Sequence, residues 1–127
     1  MFPKGPYPIT VAETEEFRSV AEVLLAGEEI DELVEFLAFN PHGADVIPDT
    51  GGVRELLWKK PGTEEGKGIW VVYYFHDLNM PLYVLTACTE GDHDELTDAE
   101  REVMRGLVEE LVGEHSRRLR ERLSSGA

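Results

Sequence analysis

At 127 residues with 42% apolar side chains, the chain is long enough for one domain with a true core, burying roughly two thirds of its unfolded surface without metal or disulfide staples. Its 26 Asp and Glu against 12 Lys and Arg give a net charge of −14, which argues against a general polyanion binder, since nucleic-acid proteins gain affinity by neutralising phosphates. The single cysteine, Cys88, excludes an internal disulfide, and with no membrane-length apolar run and a short Pro-rich start the chain reads as a cytoplasmic protein.

In chain order, residues 1–8 read as an extension and Ile9 to Ala12 as a short strand. Thr14 or Glu13 then opens a helix with Phe17, Val20, Ala21 and Leu24 on one face. Gly27 is expected to end it. A second helix from Glu28 carries Ile30, Leu33, Val34 and Leu37 on its buried stripe and closes at Asn40-Pro41, so the two form a helical hairpin. Three strands follow, Val53 to Trp58, Ile69 to His76 and Leu82 to Thr89, with joints short enough for antiparallel neighbours. Thr97-Asp98-Ala99-Glu100 has capping-box spacing and opens a long helix with Val103, Met104, Leu107, Val108 and Leu111 inward. Beyond Gly113 the sequence is so polar that residues 113–127 are expected to project as an exposed helix or tail. The fold class is therefore α+β in the order βααβββα, and Cys88 is expected to be a buried packing residue.

The stretch Val46-Ile47-Pro48-Asp49-Thr50-Gly51-Gly52-Val53-Arg54-Glu55-Leu56-Leu57-Trp58, followed by Trp70-Val71-Val72-Tyr73-Tyr74, resembles the centre of the RelE/ParE superfamily. Within it the frame is most similar to the HigB-like toxins of type II toxin–antitoxin modules, whose segment typically reads VIPGTGGLRKLRW, a basic hairpin, then RVIYY. Leu82-Tyr83-Val84-Leu85-Thr86-Ala87 looks like the family's next strand, and the match runs from about Thr10 to Leu111. The resemblance implies a RelE-like domain over residues 9–112, a cognate antitoxin as partner, and ribosome-dependent mRNA cleavage without cofactor or metal.

In that family Lys, Arg and Tyr side chains orient the scissile phosphate and steady the charge that builds during in-line attack, since a phosphorane is more anionic than its ground state. Carried over by position, Arg54 remains, whereas Glu55, Leu57 and Trp70 stand where the pattern is basic. The family's AYAKNE-like segment is replaced by Ala87-Cys88-Thr89-Glu90-Gly91-Asp92-His93-Asp94. The remaining candidates for catalysis are Arg54, Tyr74, His76 and His93, and for RNA contact Lys59, Lys60, Lys67 and Trp70. Each has a plainer reading: strand alternation sets Trp70, Val72, Tyr74 and His76 on one face, a pattern equally suited to half-buried packing. The Asp92-His93-Asp94-Glu95 run offers oxygen and nitrogen ligands, but adjacent residues diverge and no HxxxH or CxxC frame accompanies them, so a metal is not expected.

Charge is uneven along the chain. Residues 1–96 hold 6 Lys and Arg against 19 acids, and residues 97–127 hold 6 against 7, so any basic surface is local: the Lys59, Lys60, Lys67 hairpin or Arg117-Arg118-Leu119-Arg120-Glu121-Arg122. The acidic excess fits either a solvated surface or a basic partner such as an arginine-rich antitoxin segment. Three functions remain open: an attenuated HigB-like endoribonuclease, a toxin-fold protein that binds an antitoxin-like partner without chemistry, and a gyrase-directed toxin of the ParE kind.

Overall fold

A computed structural model of the chain describes residues 8–125 apart from Lys60, Pro61, Thr63 and Glu65. The elements are β1 (Val11–Glu13), α1 (Glu15–Leu24), α2 (Gly27–Phe39), β2 (Asp45–Val46), β3 (Val53–Trp58), β4 (Ile69–Tyr74), β5 (Leu82–Thr89), a 3₁₀ turn (Glu90–Asp92) and α3 (Asp98–Ser125). They form a five-stranded sheet in the order β1-β5-β4-β3-β2, in which β1 runs parallel to β5 and every other pair is antiparallel. This is the α+β arrangement expected from the sequence, with one addition: β2, two residues long, pairs with Arg54 and Glu55 inside what reads as a turn.

Strand alternation sorts the sheet into two packed faces. Ile69, Val71 and Tyr73 of β4 meet Phe17, Ala21, Leu33 and Leu37 of the α1–α2 hairpin, whereas Tyr74 of β4 and Val53 of β3 meet Val108 of α3. A bulge in β5, where the register steps from Val72↔Thr86 to Tyr73↔Val84, leaves Leu85 unpaired and turns it towards α3. Thr14 secures this point: its amide and hydroxyl both bond the Val84 carbonyl, at 3.2 and 2.8 Å, while its Oγ1 accepts the Phe17 amide and caps α1.

Several boundaries differ from the sequence reading. The first strand is Val11–Glu13 because Thr10 and Thr14 bracket the parallel pairing with β5. Gly27 begins α2 rather than ending α1, which closes when the Leu25 amide bonds the Ala21 carbonyl. Val103 is 72% exposed, on the outer flank of α3, since the inward stripe runs through Met104, Leu107, Val108 and Leu111. Cys88 is half-buried rather than enclosed. Thr97 and Glu100 form the reciprocal capping box, at 3.1 and 2.9 Å, and α3 runs without a break past Gly113.

The loop between β2 and β3 is held from inside and outside. Buried Thr50 donates to the Ile47 carbonyl and accepts the Val53 amide, and Arg101 and Arg105 of α3 bond the Pro48 and Asp49 carbonyls. Gly51 and Gly52 take positive φ of 81° and 114°, conformations glycine adopts without steric cost. The Pro-Asp-Thr-Gly-Gly run is thus the clasp that fixes α3 against the sheet.

Candidate functional site

On the α3 side of the sheet, β3 presents Glu55 and Leu57, β4 presents Trp70 and Val72, and β5 presents Thr86 and Cys88; Val72 packs against the α3 core, and the register pairs Glu55 with Val72 and Leu57 with Trp70. The 3₁₀ turn after β5 delivers a histidine to this surface. Thr89 caps the turn by accepting the Asp92 amide at 3.2 Å, and Glu90 ties it to the start of β4, exchanging backbone and side-chain bonds with Gly68 at 3.0 Å. His93 therefore lies over Trp70, ring centroids 4.3 Å apart and planes 22° from parallel, with its Nε2 3.0 Å from the Glu55 carboxylate. The result is an imidazole gripped by an indole and a carboxylate at the edge of the sheet.

The field at this surface is negative. Burial first, and then Asp92, Glu55 and Asp94, push the Cys88 thiol above its ordinary pKa, so a sulfur opposite Trp70 feels three carboxylates. An imidazole bonded to a carboxylate through one nitrogen keeps the other for proton transfer, so the group is suited to acid–base work. A phosphate brought here meets carboxylates rather than guanidinium groups.

The remaining sequence candidates are distributed elsewhere. Arg54 lies on the opposite face, paired with Tyr73; its Nη1 donates to the Ala44 carbonyl at 2.6 Å, and its buried Nε has no partner among the described residues. Tyr73 itself is fully buried, and burial pushes its hydroxyl up to about 12, partly offset by Arg54. Tyr74 shares the Trp70 face but lies four residues along the strand, roughly 13 Å away, and is packed under α3. Its hydroxyl meets His76 Nδ1 at 3.1 Å, and His76 Nε2 lies 3.6 Å from Asp77. Burial and then Asp77 raise the Tyr74 pKa; β4 ends at Tyr74 rather than at His76, so His76 and Asp77 lie in the exposed turn beyond it, apart from His93.

Lys59 lies 3.3 Å from Glu90 and, with Lys67, lines a depression of about 440 Å³ beside Leu24, Leu25 and Trp58 at the turn between α1 and α2. Lys60 lies outside the described residues. The RNA-contact set is thus divided between that depression and Trp70. Glu55, which sequence reasoning treats only as a lost cation, is the residue that holds His93; 38 positions separate the pair, and only the β3–β4 register and the turn after β5 bring them together.

Among the described residues no three His, Cys, Asp or Glu side chains converge to hold a metal ion, and no helix is long and apolar enough to cross a membrane. No protein-family model matches the chain.

Proposed function

We propose that this chain is the toxin-type subunit of a RelE/HigB-like type II toxin–antitoxin pair, acting slowly on ribosome-bound mRNA. The observation that carries the reading is the Trp70–His93–Glu55 arrangement on the sheet face that the resemblance makes the site face. With Nε2 engaged by Glu55, His93 Nδ1 takes the proton of a 2′-hydroxyl. That oxygen attacks the adjacent phosphorus, the 5′-oxygen leaves with a proton from water, and a 2′,3′-cyclic phosphate remains. Trp70 is half-buried with one indole face covered by His93, so what it offers a base is a contact with its open edge. Glu55, Leu57 and Trp70 supply no positive charge to the phosphorane, so the rate is low and the ribosome provides most of the positioning.

A reconstituted translation reaction read by primer extension tests this. The wild-type chain should produce ribosome-dependent cuts that disappear with His93→Ala. Cuts undiminished in that variant would remove His93 from the chemistry.

The negative field at Cys88 favours a second reading, a toxin-fold protein that captures an antitoxin-like partner without cleavage. It predicts no cuts and no growth arrest on expression, together with a stable complex with the product of the adjacent gene.

A further inference from the structure

The rows of side chains on the sheet continue past the ends of its central strands. Leu57, Trp70 and Cys88 stand abreast on the α3 side, and Trp58, Ile69 and Thr89, one residue along, form the last paired row and belong to the hairpin side. Carrying the register one residue further sets Lys59, Gly68 and Glu90 abreast, back on the Trp70 side. Gly68 leaves the middle of this row without a side chain, and Lys59 fills the space. A Cβ at Gly68 would lie 2.7 Å from Lys59 Cγ, 2.9 Å from its Cε and 3.0 Å from Glu90 Oε1. The lysine stem therefore crosses the glycine and buries it, and Nζ comes within 3.3 Å of Glu90 Oε1. That same oxygen accepts the Gly68 amide at 3.0 Å, while the Glu90 amide donates to the Gly68 carbonyl at 3.0 Å.

We propose that Glu90, held by Lys59 across Gly68, is the positioning residue that seats His93 on Trp70; its bearing on catalysis rests on the function proposed above. His93 follows the single 3₁₀ turn Glu90–Asp92, and its amide bonds the Glu90 carbonyl at 3.4 Å. Fixing Glu90 therefore fixes the start of the turn, and the Thr89 hydroxyl fixes its end through the Asp92 amide. Such a tie is needed because the turn is acidic. Asp92, Glu55 and Asp94 all act on the Cys88 thiol, so the turn brings two carboxylates towards the one that His93 must reach. The His93 and Glu55 side chains are 26% and 30% exposed, and an ion pair that open does not by itself order an acidic turn. Lys59 cancels the charge of Glu90 and leaves its Oε1 on the Gly68 amide, so the turn stays on the sheet. Lys59, a sequence candidate for RNA contact, thus serves one of the chain's own carboxylates.

Proton NMR of the His93 ring tests this without RNA. An imidazole stacked on an indole has its ring-proton signals displaced by the indole ring current; Trp70→Leu gives the unstacked position, and His93→Gln assigns the signal. Loss of a charge-assisted hydrogen bond shifts a local equilibrium about tenfold or more, so Glu90→Ala should carry the signal at least half of the way to its position in Trp70→Leu. Glu90→Gln, which keeps an acceptor for the Gly68 amide, should stay nearer to wild type. Lys59→Met should move the signal in the same direction by less than Glu90→Ala does. Lys67→Met, in the same depression but outside the row, should leave it in place. Circular dichroism checks that the variants are folded. A signal unmoved in Glu90→Ala or in Lys59→Met, or displaced equally in Lys67→Met, would overturn the proposal. In the reconstituted translation reaction Glu90→Ala should lower cleavage about tenfold and Glu90→Gln should recover most of it. A wild-type chain that cuts no mRNA refutes the nuclease reading and leaves the His93 signal to decide this one.

Discussion

Thr50→Val isolates what the Pro-Asp-Thr-Gly-Gly clasp contributes. Thr50 is fully buried, the one buried polar residue among the described residues besides the tyrosines of β4. Its hydroxyl donates to the Ile47 carbonyl at 2.7 Å and accepts the Val53 amide at 3.1 Å, while the Ile47 amide is already bonded to the Val53 carbonyl. Valine has the same shape, so the change opens no cavity and leaves a buried acceptor and a buried donor without partners. Each such group costs about 1–3 kcal/mol, so a loss of about 2–6 kcal/mol is expected, a large share of the roughly 5–15 kcal/mol that holds a domain folded. In a chain of this size that lowers Tm by about 6–30 °C. Thr50→Ser keeps both bonds and removes one methyl, for about 1 kcal/mol. Urea and thermal unfolding measure the two, and hydrogen exchange at the Arg101 and Arg105 amides should quicken in the valine variant as the carbonyls of Pro48 and Asp49 loosen. A valine variant within about 0.5 kcal/mol of wild type, well under the cost of one unpaired buried group, or a serine variant equally damaged, would refute the hydrogen-bond argument.

Asp49 holds a φ of 62°, which glycine adopts without steric cost, so Asp49→Gly should raise stability by about 0.5–1 kcal/mol in denaturant titrations. The raised Tyr73 pKa favours the neutral hydroxyl in the folded state; its contribution, roughly 2–3 kcal/mol, is present below pH 10 and lost as pH rises towards 12, and Tyr73→Phe should flatten that part of the stability profile. Cys88, with its thiolate disfavoured, should be alkylated by iodoacetamide at pH 8 several-fold more slowly than a free thiol, and Asp92→Asn should speed the reaction. Leu57→Arg, which restores a cation beside Trp70 and leaves Glu55, Trp70 and His93 in place, should raise ribosome-dependent cleavage at least about tenfold, equivalent to about 1.4 kcal/mol of barrier, as read by primer extension.

The elements were legible where periodicity and caps agree. Phe17, Ala21, Leu33 and Leu37 fall at helical spacing and do form one core, and Thr97 with Glu100 does start α3. Strand parity correctly put Ile69, Val71 and Tyr73 on one face and Trp70, Val72 and Tyr74 on the other. What parity cannot reveal is how far each face is covered. Tyr74 and Trp70 share a face, yet α3 buries the first and leaves the second part-exposed, because Arg101 and Arg105 anchor the helix to the Pro48–Asp49 turn at that end of β3. The Glu55–His93 contact depends on a cap by Thr89 and a clasp by Glu90, tertiary features that no local pattern specifies. For the same reason β2 was missed, since two residues in a Gly- and Pro-rich loop carry no alternation.

The register also explains which basic position persists. Positions 55, 57 and 70, basic in the resembling pattern and here Glu, Leu and Trp, all lie on the α3 side of the sheet, whereas Arg54 lies on the hairpin side. Arg54 has work there that phosphate chemistry does not touch: it bonds the Ala44 carbonyl, lies beside buried Tyr73, and so ties the end of the helical hairpin to the sheet. The one matching cation is thus accounted for by packing alone. The Glu55–His93 pair lies on the α3-side surface, so a cation placed at 57 has to overcome Asp92 and Asp94 as well.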